Sequence, residues 1–483
     1  MKRLLAHLKA LAFFFFLMGG LLACTSLPLP IKPAMVLPEH FSRSGDAAVQ
    51  AAWWKAFQDP VLDALVTRAL SDNFSLKSAW DRLDQAAAVA ERAGAARYPT
   101  LDLQTDAARS ESRGAAGTLS TGFQTRSFDR FSLGLRAAYE LDLWGRIGSE
   151  KEAAAFDLRA SEEDLQAAAI SLSAEVADTW YRLVEQYGQR ELLNRQLRVN
   201  TQILAFVTFR FRRGRVRAAD VLRQRQLVES SRGEIALAQS RTRVLEHQLA
   251  VLLGKPSATR VSARPTQLIP LPPLPETGLP AERVQRRPDI RSAQSKLLAA
   301  NEQVGTAVAN RFPRLSFSAQ INSSSESIGQ LFDNWLSTLA ANMVVPMIDG
   351  GRRRAEVRRS LAVLSQRLND YRQRVLEAMT EVENALVQEA NQREFISSLN
   401  TQLALSTQVL ERTRDSYLQG AEDYLRVLEF LLSHQALERS LLQAQREALA
   451  FRIALHRALG GGWRMNRPLQ AAVIRTDAKA ERE

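Results

Sequence analysis

The chain contains one long sequence pattern twice. Three glycines recur 206 residues later, as the pairs Gly145 and Gly351, Gly214 and Gly420, and Gly254 and Gly460. Upstream of them, the tripeptides at 97–99 and 311–313 match at an offset of 214 residues. The first copy therefore carries eight extra residues between its tripeptide and its first glycine. A repeat of this length predicts one supersecondary unit that is used twice to build a larger closed structure.

The start of the chain predicts export from the cytoplasm. Basic residues precede the apolar run 11–22, which is too short to span a bilayer and is typical of a signal peptide, here residues 1–23. The run ends in Leu-Leu-Ala-Cys, which resembles a bacterial lipobox, so Cys24 would carry a covalent lipid and begin an extended segment, residues 24–59. By the rule for such lipoproteins, Thr25 implies sorting to the outer membrane. An ordinary signal peptide with an incidental cysteine is the alternative.

The amino-acid composition limits which binding partners and which membrane-spanning elements the protein could have. The formal net charge is +12, but the positive charge is almost all arginine, scattered along helical stretches. An exported chain does not meet nucleic acid, so solvated helix faces and contact with anionic outer-membrane lipid explain the charge better. No segment after residue 23 is apolar enough for a transmembrane helix, and strands would have to do any spanning.

Four segments alternate between apolar and polar residues with a period of two. They are predicted as strands at 99–109, 128–143, 313–322 and 333–348. The alternation is clearest from Phe131 to Leu143 and poorest in the last segment. The Gly/Ser/Thr-rich stretches 109–127 and 322–331 are predicted as exposed loops. Such strands are typical of an outer-membrane β-barrel, although a half-buried soluble β-sandwich would show the same alternation.

The predicted helices are longer than those of an ordinary domain. Residues 146–213 and 352–419 are free of proline, and apolar residues in the second stretch recur at two heptad positions, which predicts a coiled coil. Shorter helices would return from Gly214 and from Gly420, and a further helix is predicted at about 60–97. The two glycines would form the tips of two long hairpins, where a left-handed turn residue is needed.

Four strands cannot close a barrel, and an open sheet edge is not tolerated in hydrocarbon. Two chains would give eight strands and a filled interior, whereas three give twelve and room for an aqueous lumen. The predicted fold class is therefore α+β: a homotrimeric 12-stranded outer-membrane β-barrel, four strands per chain, continuing into a long periplasmic α-helical coiled-coil barrel. The predicted segments after the lipidated one are repeat 1 at 60–263, a Pro-rich linker at 264–288, repeat 2 at 289–462 and a polar tail at 463–483.

Several motifs carry a resemblance to a known family. They are Trp53-Trp54-x-x-Phe57-x-Asp59-Pro60, the run from Tyr139 to Arg146, Arg286-Arg287-Pro288-Asp289-Ile290, Pro346-x-x-Asp349-Gly350-Gly351-Arg352-Arg353, and Tyr417-x-x-Gly420. Together they resemble the TolC-type outer-membrane efflux channels, most closely the lipidated branch that serves RND-type drug pumps. The resemblance covers nearly the whole mature chain.

The resemblance implies a gate at the periplasmic ends of the helices. Asp220 and Tyr417 match the family's hydrogen-bonded pair between helices, while Glu429 matches an acidic position facing the lumen and Asp423 is a second candidate. Glu422 and Arg426 occupy positions whose charges are the other way round in some members, so a swapped pair on one helix face is expected. For each of these residues a solvated charged surface is the alternative. Further sites are the docking tips and the barrel–helix junctions: Gly214, Gly420, Gly145, Arg146, Gly351 and Arg352.

The function that follows is a passive exit channel of a tripartite efflux system. It would be lipid-anchored in the bacterial outer membrane, extend into the periplasm and export small toxic compounds or drugs, with a periplasmic adaptor and an inner-membrane pump of RND type as partners. The alternatives are an outlet for protein or peptide secretion and a lipidated periplasmic coiled-coil scaffold without a pore. The five histidines are scattered without the spacing of metal ligands or of a nucleophile and its base. No enzyme activity and no cofactor beyond the lipid on Cys24 are therefore expected.

Overall fold

The computed structural model describes residues 37–48, 52–115, 123–256 and 263–460. The predicted signal peptide, Cys24 with its lipid, and the tail at 463–483 lie outside the described residues. The described residues divide into two compact units, one of residues 84–115, 123–160 and 293–371, the other of residues 37–48, 52–83, 161–256, 263–292 and 372–460. Among the residues that the structure describes, no helix combines the length and apolar composition needed to cross a membrane.

Eight α-helices and four strands are described, in two copies of one order. The first copy has α1 (Pro60–Asp72), α2 (Phe74–Ala95), β1 (Thr100–Ala115), β2 (Phe123–Leu141), α3 (Arg146–Arg212) and α4 (Ala218–Leu252). The second copy has α5 (Pro280–Arg286), α6 (Pro288–Ala309), β3 (Arg314–Ser325), β4 (Trp335–Val344), α7 (Arg352–Gln419) and α8 (Tyr424–Leu459). This order agrees with one supersecondary unit used twice.

The first unit contains an antiparallel sheet in the order β1-β2-β3-β4. Its register places most apolar positions of the strands in line: Leu103 pairs with Leu135, Leu135 with Ile321, and Leu315 with Met343, while β4 interrupts the pattern with Ser337 opposite Ile321. The alternate positions form a polar row, for example Asp102, Arg136, Gln320 and Thr338. Because the side-chain period in a strand is two, this register gives the sheet one apolar and one polar face.

The strands have different limits from those predicted. The first hairpin stays paired up to Ala115 and Phe123, well inside the stretch predicted as loop, and residues 116–122 lie outside the described ranges. Backbone pairing does not require alternating side chains, so periodicity missed this extension; a 3.8 Å ion pair between Arg109 and Asp129 spans it. The fourth strand is shorter than 333–348, because Pro346 has no N–H to donate to a ladder.

The two long helices end within one residue of the predicted limits. They contain 67 and 68 residues, which corresponds to about 100 Å each at 1.5 Å per residue. The predicted coiled-coil seam of α7 is confirmed over its middle, where Val375, Ala378, Val382 and Ala385 are buried. Near the start of the helix, Leu361 is 39% exposed although the heptad pattern puts it on the seam.

The helix predicted at 60–97 is wrong in one respect, because it is two helices interrupted at Asn73. The Asn73 side chain accepts a hydrogen bond from the Leu76 N–H at 3.0 Å and donates one to the Leu252 carbonyl at 2.9 Å. These bonds satisfy backbone groups at the end of α4 and the start of α2. A matching break separates α5 from α6, so a short helix lies inside the stretch predicted as linker. Pro288 forces the residue before it into an extended conformation.

Part of the segment predicted as extended, 24–59, is instead a buried 3₁₀ turn at Trp53–Phe57. Its aromatic side chains belong to the largest hydrophobic cluster of the second unit, together with Trp180 and Tyr181. The indole N–H groups of Trp53 and Trp180 donate to Ser173 and Asp59. The same Asp59 carboxylate caps α1 through the Val61 N–H at 2.9 Å. The Trp-Trp-x-x-Phe-x-Asp-Pro motif is thus a structural anchor in the second unit.

Candidate gate and docking surface at the hairpin tips

Both hairpin tips turn at the predicted glycines. Gly214 has a φ of +68° and Gly420 a φ of +82°, in the left-handed region that side chains disfavour. At the first tip the Gly214 N–H donates to Phe211 and the next N–H donates to Arg210. The second tip has the same pair of bonds, to Tyr417 and Ser416. This pattern is a Schellman motif, which satisfies the last carbonyls of a helix while the chain reverses.

The predicted link between Asp220 and Tyr417 is not formed within the chain. The Asp220 carboxylate accepts instead from the Arg217 N–H at 3.1 Å, as part of the cap of α4. The Tyr417 hydroxyl is buried and has no hydrogen-bond partner among the described residues. The Arg210 guanidinium lies 4.7 Å from the Tyr417 ring centroid. Burial raises the pKa of the Tyr417 hydroxyl, and the Arg210 charge opposes that rise.

The predicted Glu422–Arg426 pair is formed. The closest nitrogen and oxygen are 4.0 Å apart and both side chains are exposed, so the pair contributes at most a few tenths of a kcal/mol. Asp423 caps α8, accepting from the Arg426 N–H at 3.1 Å. Glu429 lies exposed on the same helix.

Close to the tips, a buried polar network links the two hairpins, and sequence reasoning missed it. The Tyr424 hydroxyl at the start of α8 donates to the Gln224 side-chain oxygen on α4. The Gln224 amide donates in turn to the Asn200 carbonyl on α3 at 2.7 Å. The Asn200 side chain exchanges hydrogen bonds with Gln435 of α8, at 2.9 and 3.5 Å, and donates to Ser231 at 3.0 Å.

The network continues along α3 and α8. The Gln196 amide donates to the Gln435 carbonyl and to Glu438, while its oxygen accepts from Arg439 at 2.9 Å. Buried polar groups that are fully paired favour one packing over others, because any shift leaves costly unpaired groups. The network therefore holds α8 against the first hairpin. Asn200 gave only a weak sequence signal, because it shares a heptad position with Leu165 and Leu172 but also with the polar residues Thr179 and Gln186.

Further along the second hairpin, a fully buried ion pair joins its two helices. The Arg452 guanidinium donates to both carboxylate oxygens of Glu389 at 2.7 Å and to the carbonyls of Pro272 and Pro273. The guanidinium can spread its hydrogen bonds over all of these acceptors because its five N–H groups form a planar fork. Arg452 thus connects the linker segment to both helices of the second hairpin. Scattered arginines gave no indication of this role in the sequence.

The predicted barrel–helix junctions differ between the copies. In the first, Gly145 has a φ of +73° and Arg146 pairs with Glu140 at 2.9 Å and with Glu150 at 3.2 Å. In the second, Gly351 has a φ of +86°, but the residue paired with Asp349 at 3.0 Å is Arg353. The predicted Arg352 is exposed there. A carboxylate also caps the long helix in each copy, from Asp142 to the Gly148 N–H at 2.7 Å and from Asp349 to the Arg353 N–H at 3.2 Å.

The chemistry of these side chains is that of support and attachment. Within the described ranges, no group of three or more His, Cys, Asp or Glu side chains is placed to hold a metal ion. The conspicuous buried polar groups are pairs and networks between helices. This arrangement suits a structural conduit with a contact surface at the hairpin tips.

Comparison with known proteins identifies the family to which this architecture belongs. The profile of the family described as "Outer membrane efflux protein" matches residues 65–255 and 279–461. The chain is 34% identical over 462 residues to the pyoverdine export outer membrane protein OpmQ of Pseudomonas aeruginosa, covering 92% of this chain and 95% of that protein. It is 30% identical over 456 residues to the cation efflux system protein CusC of Escherichia coli, covering 92% and 97%.

Solved structures give the same result. The outer-membrane channel OprN matches with a TM-score of 0.82 at 28% identity, over 92% of this chain and all of that one. A CusC structure matches with a TM-score of 0.81 at 28% identity, over 91% of this chain and all of that one. The α+β fold class and the outer-membrane location are confirmed by these likenesses. The chain belongs to the outer membrane efflux protein family and is an efflux channel of the bacterial outer membrane.

Proposed function

We propose that three copies of this chain form a passive duct from the periplasm through the outer membrane. Their twelve strands close a barrel, and their hairpins continue it as a helical tube that meets a periplasmic adaptor. The adaptor links the duct to an inner-membrane pump of RND type, which supplies the energy for export.

The observation that carries this proposal is the open, two-faced sheet. The strands β1 and β4 each pair on one side only, so both edges of the sheet carry unpaired backbone groups. Apolar side chains near these edges are exposed in the single chain, among them Leu101 at 71%, Leu339 at 83% and Met343 at 61%. An apolar face with two open edges is stable in lipid only when the edges pair with further copies. The polar face then lines the lumen.

We propose small toxic compounds as the exported class. The relatives are named for pyoverdine export, cation efflux and toluene efflux, which differ in charge and size but are all small. A duct without a dedicated binding site serves such varied cargo when the pump selects it. Protein secretion, the second transport hypothesis, has no support among these names, and a scaffold without a pore does not explain the two-faced sheet.

Lipidation of Cys24 is a separate part of the proposal. The lipobox-like sequence supports it, and a single acyl anchor adds only marginal membrane affinity next to a barrel. Labelling cells with a palmitate analogue should mark the wild-type protein and leave Cys24→Ser unmarked. The Cys24→Ser protein should still reach the outer membrane if the barrel carries most of the attachment.

The duct is tested by mass and conductance. The mature protein, extracted in detergent, should have the mass of three chains and should form ion-conducting channels in planar bilayers. Deleting the gene should make cells hypersensitive to small toxic compounds and leave secreted proteins unchanged. A stable monomer in detergent-free buffer, without conductance, would refute the duct and favour the scaffold.

A further inference from the structure

The tip of the first hairpin is strongly basic. Within residues 209–217 there are five arginines, Arg210, Arg212, Arg213, Arg215 and Arg217. All except the half-buried Arg210 are exposed. Three phenylalanines in the same stretch are also exposed. Phe209 and Phe211 flank Arg210, and Phe206 lies one helical turn before it; their exposed fractions are 55%, 43% and 41%. We call residues 206–217 the basic tip.

The second repeat shows that the turn itself does not need these arginines. At the offset of 206 residues, their counterparts are Ser416, Leu418, Gln419, Ala421 and Asp423. Both tips nevertheless have the same glycine conformation and the same pair of Schellman hydrogen bonds. Two copies of one fold thus differ by five positive charges and one negative charge at matched positions. The charge of the basic tip therefore serves something other than folding.

Among the described residues, the arginines have no acidic ion-pair partners. No carboxylate of the described residues forms an ion pair with any of the five; the nearby Asp220 contacts Arg223, at 4.0 Å. Their observed partners are aromatic: Arg210 lies over Phe206 at 5.8 Å, and Arg213 lies over Phe209 at 4.9 Å. Such contacts hold the guanidinium groups at the surface without neutralising them. Five like charges in one turn repel one another, which an anionic partner would relieve.

A second copy of the chain is a poor candidate for that partner. The other tip offers few acidic groups beside its turn, only Glu422 and Asp423 within three residues of Gly420, against five arginines on the basic tip. The mixture of exposed Phe and Arg is instead typical of the centre of a protein–protein interface, where both residue types are enriched. Because the duct must receive its cargo from another protein, the observations favour a protein partner with an acidic surface.

We infer that the basic tip binds the periplasmic adaptor through Asp and Glu side chains of the adaptor arranged around an apolar contact. This inference rests on the proposed function, since it takes the adaptor as the partner. Arginines then steer the adaptor to the first hairpin and the phenylalanines supply the buried contact area. Charge steering of this kind speeds association and weakens as salt rises. The second tip, which lacks the charge, takes no part in this steering.

The test uses two designed helical hairpins that differ only in their turn, which carries four Glu in one and four Lys in the other. Binding of each to the detergent-solubilised full-length protein is followed by fluorescence anisotropy at low and high salt. The Glu hairpin should bind at low salt, at least roughly tenfold more tightly than the Lys hairpin, and lose affinity as salt rises. Equal binding of both hairpins, or binding of neither, would overturn the inference.

A matched pair of variants locates the surface. Changing Arg212, Arg213 and Arg215 to Glu should abolish the preference for the Glu hairpin. Changing Arg241 and Arg243, two exposed arginines of α4, to Glu should leave it within about twofold, because they lie about 35 Å along the helix from the basic tip, well beyond the screening length. An equal loss in both variants would contradict the inference, since it would indicate a general charge effect.

Vesicle competition and conductance complete the test. If vesicles with anionic lipid compete away the Glu hairpin while neutral vesicles do not, the basic tip is a lipid-binding surface and the inference fails. Conductance of the wild-type protein in planar bilayers tests the duct independently. A conducting trimer that shows no preference for the Glu hairpin would leave the proposed function standing and refute only the adaptor chemistry.

Discussion

The second unit contains two helix breaks, one in each repeat. Each break supplies a hydrogen-bond donor to a carbonyl at the end of a returning helix, but the donor side chains differ. In repeat 1, Asn73 separates α1 from α2 and its amide donates to the Leu252 carbonyl. In repeat 2, Arg287 separates α5 from α6 and its guanidinium donates to the Ala458 carbonyl at 2.7 Å. The two break residues are 214 residues apart and the two carbonyls are 206 apart, which are the offsets of the repeat.

The backbone beneath each break is also the same. Each carbonyl lies two residues before a glycine with positive φ, +67° at Gly254 and +55° at Gly460. These glycines allow close approach, because an added Cβ would lie 2.4 Å from the Asp72 carbonyl oxygen in repeat 1 and 2.8 Å from the Arg287 Cγ in repeat 2. Both repeats therefore require the same thing at this point, a hydrogen-bond donor for the last carbonyls of the returning helix.

The difference lies in charge. Asn73 is neutral, whereas buried Arg287 also pairs with Asp289 and Glu381, both at 2.8 Å. Burial alone would raise the pKa of Asp289, but the hydrogen bonds and charge of Arg287 outweigh it and lower that pKa. A charged donor thus requires acidic partners on two further segments, while the amide requires none. The helix-end carbonyl of repeat 2 is consequently bound by a member of a charged network, and that of repeat 1 by a neutral side-chain amide.

Replacing Arg287 with alanine should have the largest effect. The variant leaves two neighbouring carboxylates without their cation and a buried carbonyl without its donor, a loss of about 3–5 kcal/mol. The free energy of unfolding of the detergent-solubilised protein, from urea titrations followed by circular dichroism, measures this change. Arg354→Ala, an exposed position on α7, serves as the control and should stay within about 0.5 kcal/mol. A loss at Arg287 no larger than that control would show that the network adds nothing over one hydrogen bond.

Acid should weaken repeat 2 through His456, whose counterpart in repeat 1 is Ala250. His456 is buried against Trp53 and Phe57, and burial, followed by the nearby Arg452 charge, lowers its pKa from 6.5 to about 4. The unfolded chain therefore binds the proton first as pH falls. Stability from the neutral ring is complete above pH 6.5 and is lost between pH 6.5 and 4, by about 3 kcal/mol.

The measurement is the free energy of unfolding at pH 7.5 and at pH 4.5, for the wild-type protein and for His456→Phe. Phenylalanine fills a similar volume and does not titrate, so the variant should lose less stability on acidification. Equal pH dependence in both proteins would assign the acid effect to other groups.

The sequence predicted the large features because they repeat over many residues. The repeated glycines and the proline-free stretches between them gave the limits of α3 and α7, heptad spacing gave the seam of α7, and period-two alternation gave the apolar face of the sheet. The tips followed from Gly214 and Gly420, which need a positive φ. Each of these signals is a pattern, so a single unusual residue does not hide it.

The missed features depend on single side chains that reach distant partners. Nothing near Asn73 in the sequence shows that its amide meets a carbonyl 179 residues away, since asparagine is favoured at helix caps and turns in general. The Tyr424–Gln224 bond likewise joins residues 200 apart. The expected Asp220–Tyr417 hydrogen bond is not formed within the chain for a local reason. The Asp220 carboxylate accepts instead from the backbone N–H of Arg217, three residues before it.

Gly254→Ala should lower the free energy of unfolding more than Gly460→Ala does. At these glycines repeat 1 is thus the more sensitive repeat, whereas at the break residues Asn73 and Arg287 it is repeat 2. Both substitutions force an L-residue into positive φ, a cost of about 1–2 kcal/mol. At Gly254 the new Cβ also meets backbone, the Asp72 carbonyl, whereas at Gly460 it meets a side-chain carbon of Arg287 that can shift. We expect a loss of about 2 kcal/mol or more at Gly254 and about 1 kcal/mol at Gly460, measured by the same urea titrations. Equal losses would mean that the backbone at the α1–α2 break shifts to accommodate the new Cβ as readily as the Arg287 side chain does.

Asn73→Ala should cost only about 1–2 kcal/mol, because it removes the donor for one carbonyl and the cap of α2 but exposes no charge. Asn73→Asp separates these two losses. Its carboxylate can still accept from the Leu76 N–H, but it has no N–H for Leu252 and places a negative charge beside that carbonyl. If the donor to Leu252 is what the repeat conserves, aspartate should destabilise at least as much as alanine, and amide exchange in the last turn of α4 should speed up in both. If aspartate restores wild-type stability instead, Asn73 serves only as a cap, and the parallel with Arg287 fails.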